Sequence, residues 1–118
     1  MNLTVKDAYI VALGAYGNRT QAETVTAIDT INYDGPAQLV FIAGPGNAYV
    51  VMKVRHSTSE AGAATGTAFV TVTGVTAATF NTSTHINLES YGRYLVADFT
   101  VDTAADCGIY LIAQKKNS

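Results

Sequence analysis

No window of about eleven residues or more in this chain combines helix-forming residues with a 3.6-residue apolar period. Apolar and polar residues alternate with period two instead, over short stretches that end at Gly, Pro, Asn, Asp or Ser. The longest clean case is residues 93–101, where Leu95, Ala97, Phe99 and Val101 oppose Tyr94, Val96, Asp98 and Thr100. About eight or nine short strands, with turn signals roughly every ten residues, predict a β-sandwich or barrel. Of these we expect a single antiparallel β-sandwich of the jelly-roll type, one domain over 1–118, which is a normal length for one domain.

The stretch 27–56 organises this pattern. Leu39, Val40, Phe41 and Ile42 form an apolar run that suits a strand buried on both faces or shielded by a partner. In the next run Lys53 and Arg55 alternate with Met52 and Val54, so one face is dry and the other wet. Gly44-Pro45-Gly46-Asn47 between them reads as the turn of a β-hairpin, and Tyr33-Asp34-Gly35-Pro36 as a second turn just before it.

Elsewhere, residues 9–13 read as a short strand broken by Gly14-Ala15-Tyr16-Gly17-Asn18. Residues 21–31 read as a strand bent or bulged near Ala27, where the apolar parity becomes unclear. Residues 57–66 are small and polar and read as a loop. Residues 67–73 alternate well, Gly74 interrupts, and 75–80 form another short strand. Asn81-Thr82-Ser83 is expected to turn the chain before a brief strand at 85–88, and Ser90-Tyr91-Gly92 to turn it again. A turn at 102–106 leads to a last strand at 107–113, and 114–118 is a polar tail.

Hydrophobic residues make up 48% of the chain and charged residues only 14%, which points to surface covered by partners. The net charge is −2, and of the seven basic residues only Lys115 and Lys116 are adjacent, so the clustered basic footprint of a nucleic-acid binder is missing. The apolar residues 8–13 are too few to span a bilayer, and no basic region precedes them as in a secretory signal, so neither a membrane partner nor secretion is expected. Asn2, Asn18 and Asn81 open N-x-[ST] sequons, read as chance matches in a Thr-rich chain.

The residues that would carry catalysis are not arranged for it. His56 follows Arg55 at a strand end and His85 sits among Thr, Ser and Asn; both read as polar strand-edge residues without the spacing of metal ligands. Cys107 is the one cysteine and reads as a small buried thiol. Asp98, Asp102 and Asp106 share no helical face, and the dense oxygen ligands of a calcium loop are absent. Gly44-Pro45-Gly46 lacks the third glycine and following helix of a phosphate cradle, and no nucleophile elbow occurs. We therefore expect no enzyme, no cofactor, no metal and no catalytic residue, with binding residues left unassigned. The seven tyrosines cap core edges or line a partner- or sugar-binding face.

In the order of its segments the chain resembles the capsid decoration, or cement, proteins of tailed bacteriophages. The resemblance covers roughly 23–114. Ile28-Asp29-Thr30 ends a strand before Tyr33 and the apolar 39–43, Val54-Arg55-His56-Ser57 closes a strand before a small-residue loop, Tyr91-Gly92-Arg93-Tyr94-Leu95 opens the long strand, and Gly108 opens the last. The loop 57–66 departs from the family in holding one acid, Glu60. The resemblance implies a virion protein on the capsid surface, made in the host cytoplasm. Its partners would be the major capsid protein and itself, as a homo-oligomer expected to be a trimer. The alternatives are a carbohydrate-binding module or adhesin on a jelly-roll scaffold, or another virion part such as a tail-tube or head-fibre subunit.

We expect Phe41, Val50, Met52, Val70, Leu95, Phe99, Ile109 and Leu111 in the core. One face of the 39–43 strand needs a subunit, the shell or the chain's own loop 57–66 to cover it. Residues 1–6 and 114–118 are expected as arms that contact neighbours or shell.

Overall fold

The computed structural model describes residues 8–44, 49–75 and 80–116. Nine strands follow in chain order: β1 (Ala8–Arg19), β2 (Glu23–Thr24), β3 (Ile28–Asp29), β4 (Tyr33–Ala43), β5 (Tyr49–Ser57), β6 (Thr67–Val75), β7 (Phe80–Asn87), β8 (Tyr94–Val101) and β9 (Ala105–Lys115). Helix among these residues is limited to single 3-10 turns at Ala63–Thr65 and Leu88–Ser90.

The strands form two antiparallel sheets, one in the order β1-β9-β4-β7 and the other β2-β8-β5-β6. β3 also pairs with β8, on the edge that β2 occupies: Glu23 lies opposite Phe99 and Ile28 opposite Leu95. β2 and β3 are thus two halves of one edge strand. Val25 and Ile28 both pack against the core although their parities differ. The switch occurs at the break, close to the bend expected at Ala27. Apart from that break, β5 to β6 is the one connection that stays within a sheet; every other passes between sheets. This is the jelly roll, two four-stranded sheets wound as paired Greek keys.

The core fills the space between the sheets. Leu13, Leu39, Phe41, Ile109 and Leu111 enter from the first sheet, and Val50, Met52, Val54, Leu95 and Phe99 from the second, all fully buried. Seven of the eight expected core residues lie here; the eighth, Val70, is half-buried and packs against the cluster. Gly14 faces the second sheet with no room for a side chain. A Cβ there would fall 2.5 Å from the Phe99 ring.

Several local expectations are corrected. β4 and β5 do not form a hairpin: β4 pairs with β7 and β9, and β5 with β6 and β8. The segment between them carries the chain from one sheet to the other; its residues 45–48 lie outside the described residues, as do 1–7, 76–79 and 117–118, which include the proposed arm 1–6. Residues 33–36 are not a turn but the bulged start of β4, with the register shifting between Tyr33 and Ala37. Gly35 fits there because the side chains of Asn87 and Glu89 occupy the space a Cβ would take. β1 does not stop at Gly14. It runs on to Arg19 through register shifts between Ala12 and Gly14 and between Gly14 and Gly17.

Asn81, Thr82 and Ser83 do not turn the chain. They sit in β7 opposite Ile42, Phe41 and Val40, because ladder pairing with β4 outweighs their turn propensity. Gly74 likewise stays in β6, opposite Val50. The last strand extends through Gln114 and Lys115, which are therefore not a tail.

Candidate functional site

The register defines two outer faces of contrasting character. On the first sheet, Ile10, Ile112, Gln38 and His85 form one row across the strands, and Ala12, Tyr110, Val40 and Ser83 the next. Gly108, Ile42 and Asn81 continue the pattern. None of these residues is Asp, Glu, Lys or Arg. Val40, Ile42, Tyr110 and Ile112 are half-buried, and Ile10 is 72% exposed.

Part of this face has its own cover. The β1 bulge swings Tyr16 over Gly108, where a Cβ would meet the Tyr16 backbone at 2.6 Å. Tyr16 donates its N–H to the Tyr110 hydroxyl at 2.8 Å and its own hydroxyl to the Gly44 carbonyl. A tyrosine strap thus lies across the end of the stripe, anchored at both ends.

The outer face of the second sheet is charged. The guanidinium of Arg55 donates from Nε and Nη2 to Asp98 at 3.1 and 3.0 Å, and from Nη1 to the Gly66 carbonyl at 3.0 Å. Lys53 lies opposite Asp98 in the register, with Thr71 on its other side. The loop 57–66 folds over this sheet and not over β4, so Val96 is buried on its outward side, against Ala63. A cleft of about 450 Å³ lies beside it, lined by Thr24, Val25, Thr26, Ala27, Glu60 and Val96 among others.

At one corner Arg19 is almost wholly buried. Its guanidinium carbon sits 3.9 Å from the Phe99 ring centroid, and Nη1 donates to the Gly17 and Cys107 carbonyls. Nε lies 3.2 Å from Glu23 Oε1, an ion pair without the alignment of a hydrogen bond. The cation is held by a ring face and carbonyl dipoles. Cys107 is free and buried as expected, and burial pushes its thiol up.

At another corner two of the segments behind the phage-protein resemblance meet. His56 is not a plain edge residue. It is half-buried, its Nδ1 accepts the Gly92 N–H at 2.9 Å, and its ring packs edge-on against Phe69 and Tyr91. Phe69 and Tyr91 stack with centroids 3.9 Å apart. A Cβ on Gly92 would strike the Ser57 carbonyl, so this close approach requires glycine. His85 is exposed on β7, in keeping with the sequence. The tyrosines divide: Tyr91 caps a core edge, while Tyr110 and Tyr16 belong to the uncharged face. Tyr16 was not legible as a surface feature, because the bulges that place it leave no composition signal.

Among the described residues, no three or more His, Cys, Asp and Glu side chains converge as a metal site. No helix there is long and apolar enough to cross a membrane.

No protein-family model and no curated protein matches the chain. Among solved structures it is similar to a chain in the structure of infectious bursal disease virus, Gx strain, at 14% identity and a TM-score of 0.37. The match covers 90% of this chain and 31% of that one, so the chain spans about a third of its length. The fold described above stands on this chain's own strand order.

Proposed function

We propose that the chain is a structural subunit of a virus particle, a decoration or cement protein seated on a tailed-phage capsid and bound to the major capsid protein as a homo-oligomer. The observation that carries this reading is the asymmetry of the two outer faces. The first sheet offers Val40, Ile42, Tyr110 and Ile112 in rows without a formal charge, whereas the second is laced with Lys53 and the Arg55–Asp98 pair. A subunit that must adhere to a broad surface on one side and face solvent on the other needs this division. The segment order described above supports the same reading.

The test is co-sedimentation with empty phage shells that lack the protein. Wild type should pellet with the shells, and Val40→Lys or Ile112→Lys should stay in the supernatant while melting like wild type. Wild type that never pellets, or variants that pellet equally well, would sink the proposal.

A further inference from the structure

Among the described residues, the outer edge of β1 differs from the other sheet edges. Its first residues read Ala8, Tyr9, Ile10, Val11, Ala12, a near-palindrome about Ile10. Among the described residues, β1 pairs with β9 alone, so alternate N–H and C=O groups along its other side have no strand partner. Such an edge is a template for another strand unless charge, a break or a bulge blunts it. The remaining edges are blunted. β2 and β3 are interrupted and carry Glu23 and Asp29, β6 is bent where its register shifts opposite Val54 and Arg55, and β7 presents Asn81, Ser83, His85 and Asn87. Residues 8–12 have no charge and no irregularity, and they carry two of the exposed large hydrophobic residues, Ile10 at 72% and Tyr9 at 40%.

We propose that this edge pairs with the same edge of a second copy, antiparallel about a two-fold axis at Ile10. An antiparallel strand meeting itself there sets Ile10 opposite Ile10, Tyr9 opposite Val11 and Ala8 opposite Ala12. Every pair is then apolar, and the two Tyr–Val pairs are of the aromatic and β-branched kind that favours strand pairing. The edge is self-complementary, which is what an isologous contact requires. The first sheets of two copies become one eight-stranded sheet, and the uncharged rows through Ile112 and Tyr110 run on without a seam. Lys115, whose Nζ lies 5.4 Å from the Tyr9 ring, sits at the rim. The contact does not depend on shell docking and differs in symmetry from the trimer expected from the sequence.

The deciding experiment is cysteine cross-linking of the full chain under mild oxidation. Residues directly opposite in an antiparallel ladder have Cα atoms about 4.5–5.5 Å apart, within disulfide reach. Ile10→Cys should therefore form a disulfide-linked dimer. Ala12→Cys should not, because a two-fold at residue 10 separates its two copies by about 14 Å, four strand residues. The double variant Ala8→Cys with Ala12→Cys should link again. Buried Cys107 serves as the internal blank. In light scattering, wild type should give the mass of two 12.4 kDa chains at micromolar concentration and Ile10→Lys that of one, with unchanged circular dichroism. A wild-type monomer, a trimer indifferent to Ile10→Lys, or equal cross-linking at positions 10 and 12 would overturn the proposal.

Discussion

The backbone N–H of Gly92 donates to Nδ1 of His56 at 2.9 Å, tying the turn before β8 to the end of β5. An imidazole that accepts at Nδ1 cannot carry a proton there, so the contact defines the ring's tautomer. Replacing His56 by Ala removes the acceptor and the edge contacts to Phe69 and Tyr91. We expect a loss of about 1–3 kcal/mol in urea unfolding. His56→Ala with wild-type stability would show that the corner is held by the stacked pair alone.

Phe99→Ala should cost about 3–5 kcal/mol. The ring is fully buried, packs over Gly14 and carries the Arg19 guanidinium on its face. Gly14→Ala tests the same packing from the other side. Its Cβ must displace a core ring, an overpacking penalty of about 1–3 kcal/mol by the same unfolding measurement.

The hydrogen-bonded Arg93 guanidinium holds the Asp29 carboxyl below the usual carboxylate range. A carboxyl whose folded pKa is depressed stabilises the fold above its unfolded value and loses that contribution as pH falls through the folded one. The melting temperature should therefore drop as pH goes below about 4, and Asp29→Asn should show a shallower drop. The pair is exposed, so the difference should be small and should shrink in high salt.

Burial pushes the Cys107 thiol up, keeping it protonated and out of reach of reagents. Ellman's reagent at neutral pH should leave the folded protein unlabelled and react with one thiol per chain in guanidinium. Rapid labelling of the native protein would mean that β9 opens readily.

A chelator should leave the melting temperature unchanged within error. A stoichiometric zinc or calcium ion in purified protein would contradict the expectation of no metal.

Period-two alternation was enough to read most strands and nearly all of the chosen core, because burial of one sheet face is written into every second side chain. It cannot say which sheet a strand joins. The apolar run ending at Ala43 and the one starting at Tyr49 therefore looked like a hairpin, although they lie in opposite sheets. β7 was misread because Asn81, Thr82 and Ser83 match both a turn and a wet edge strand; only the facing β4 residues decide. His56 was underestimated since nothing local announces Gly92, a residue far along the chain. That face was foreseen only as an apolar strand in want of cover by a subunit, the shell or the chain's own loop 57–66, and of these the loop lies over the other sheet.

The position of β9 has a kinetic consequence. It lies between β1 and β4, so Ile10 must find Ile112, almost the whole described chain away, before the first sheet can close. Such long-range pairings pay their loop entropy in advance, and folds dominated by them form in milliseconds to seconds rather than microseconds. During that wait the β1 edge has no β9 beside it, which makes the refolding chain prone to strand exchange between copies.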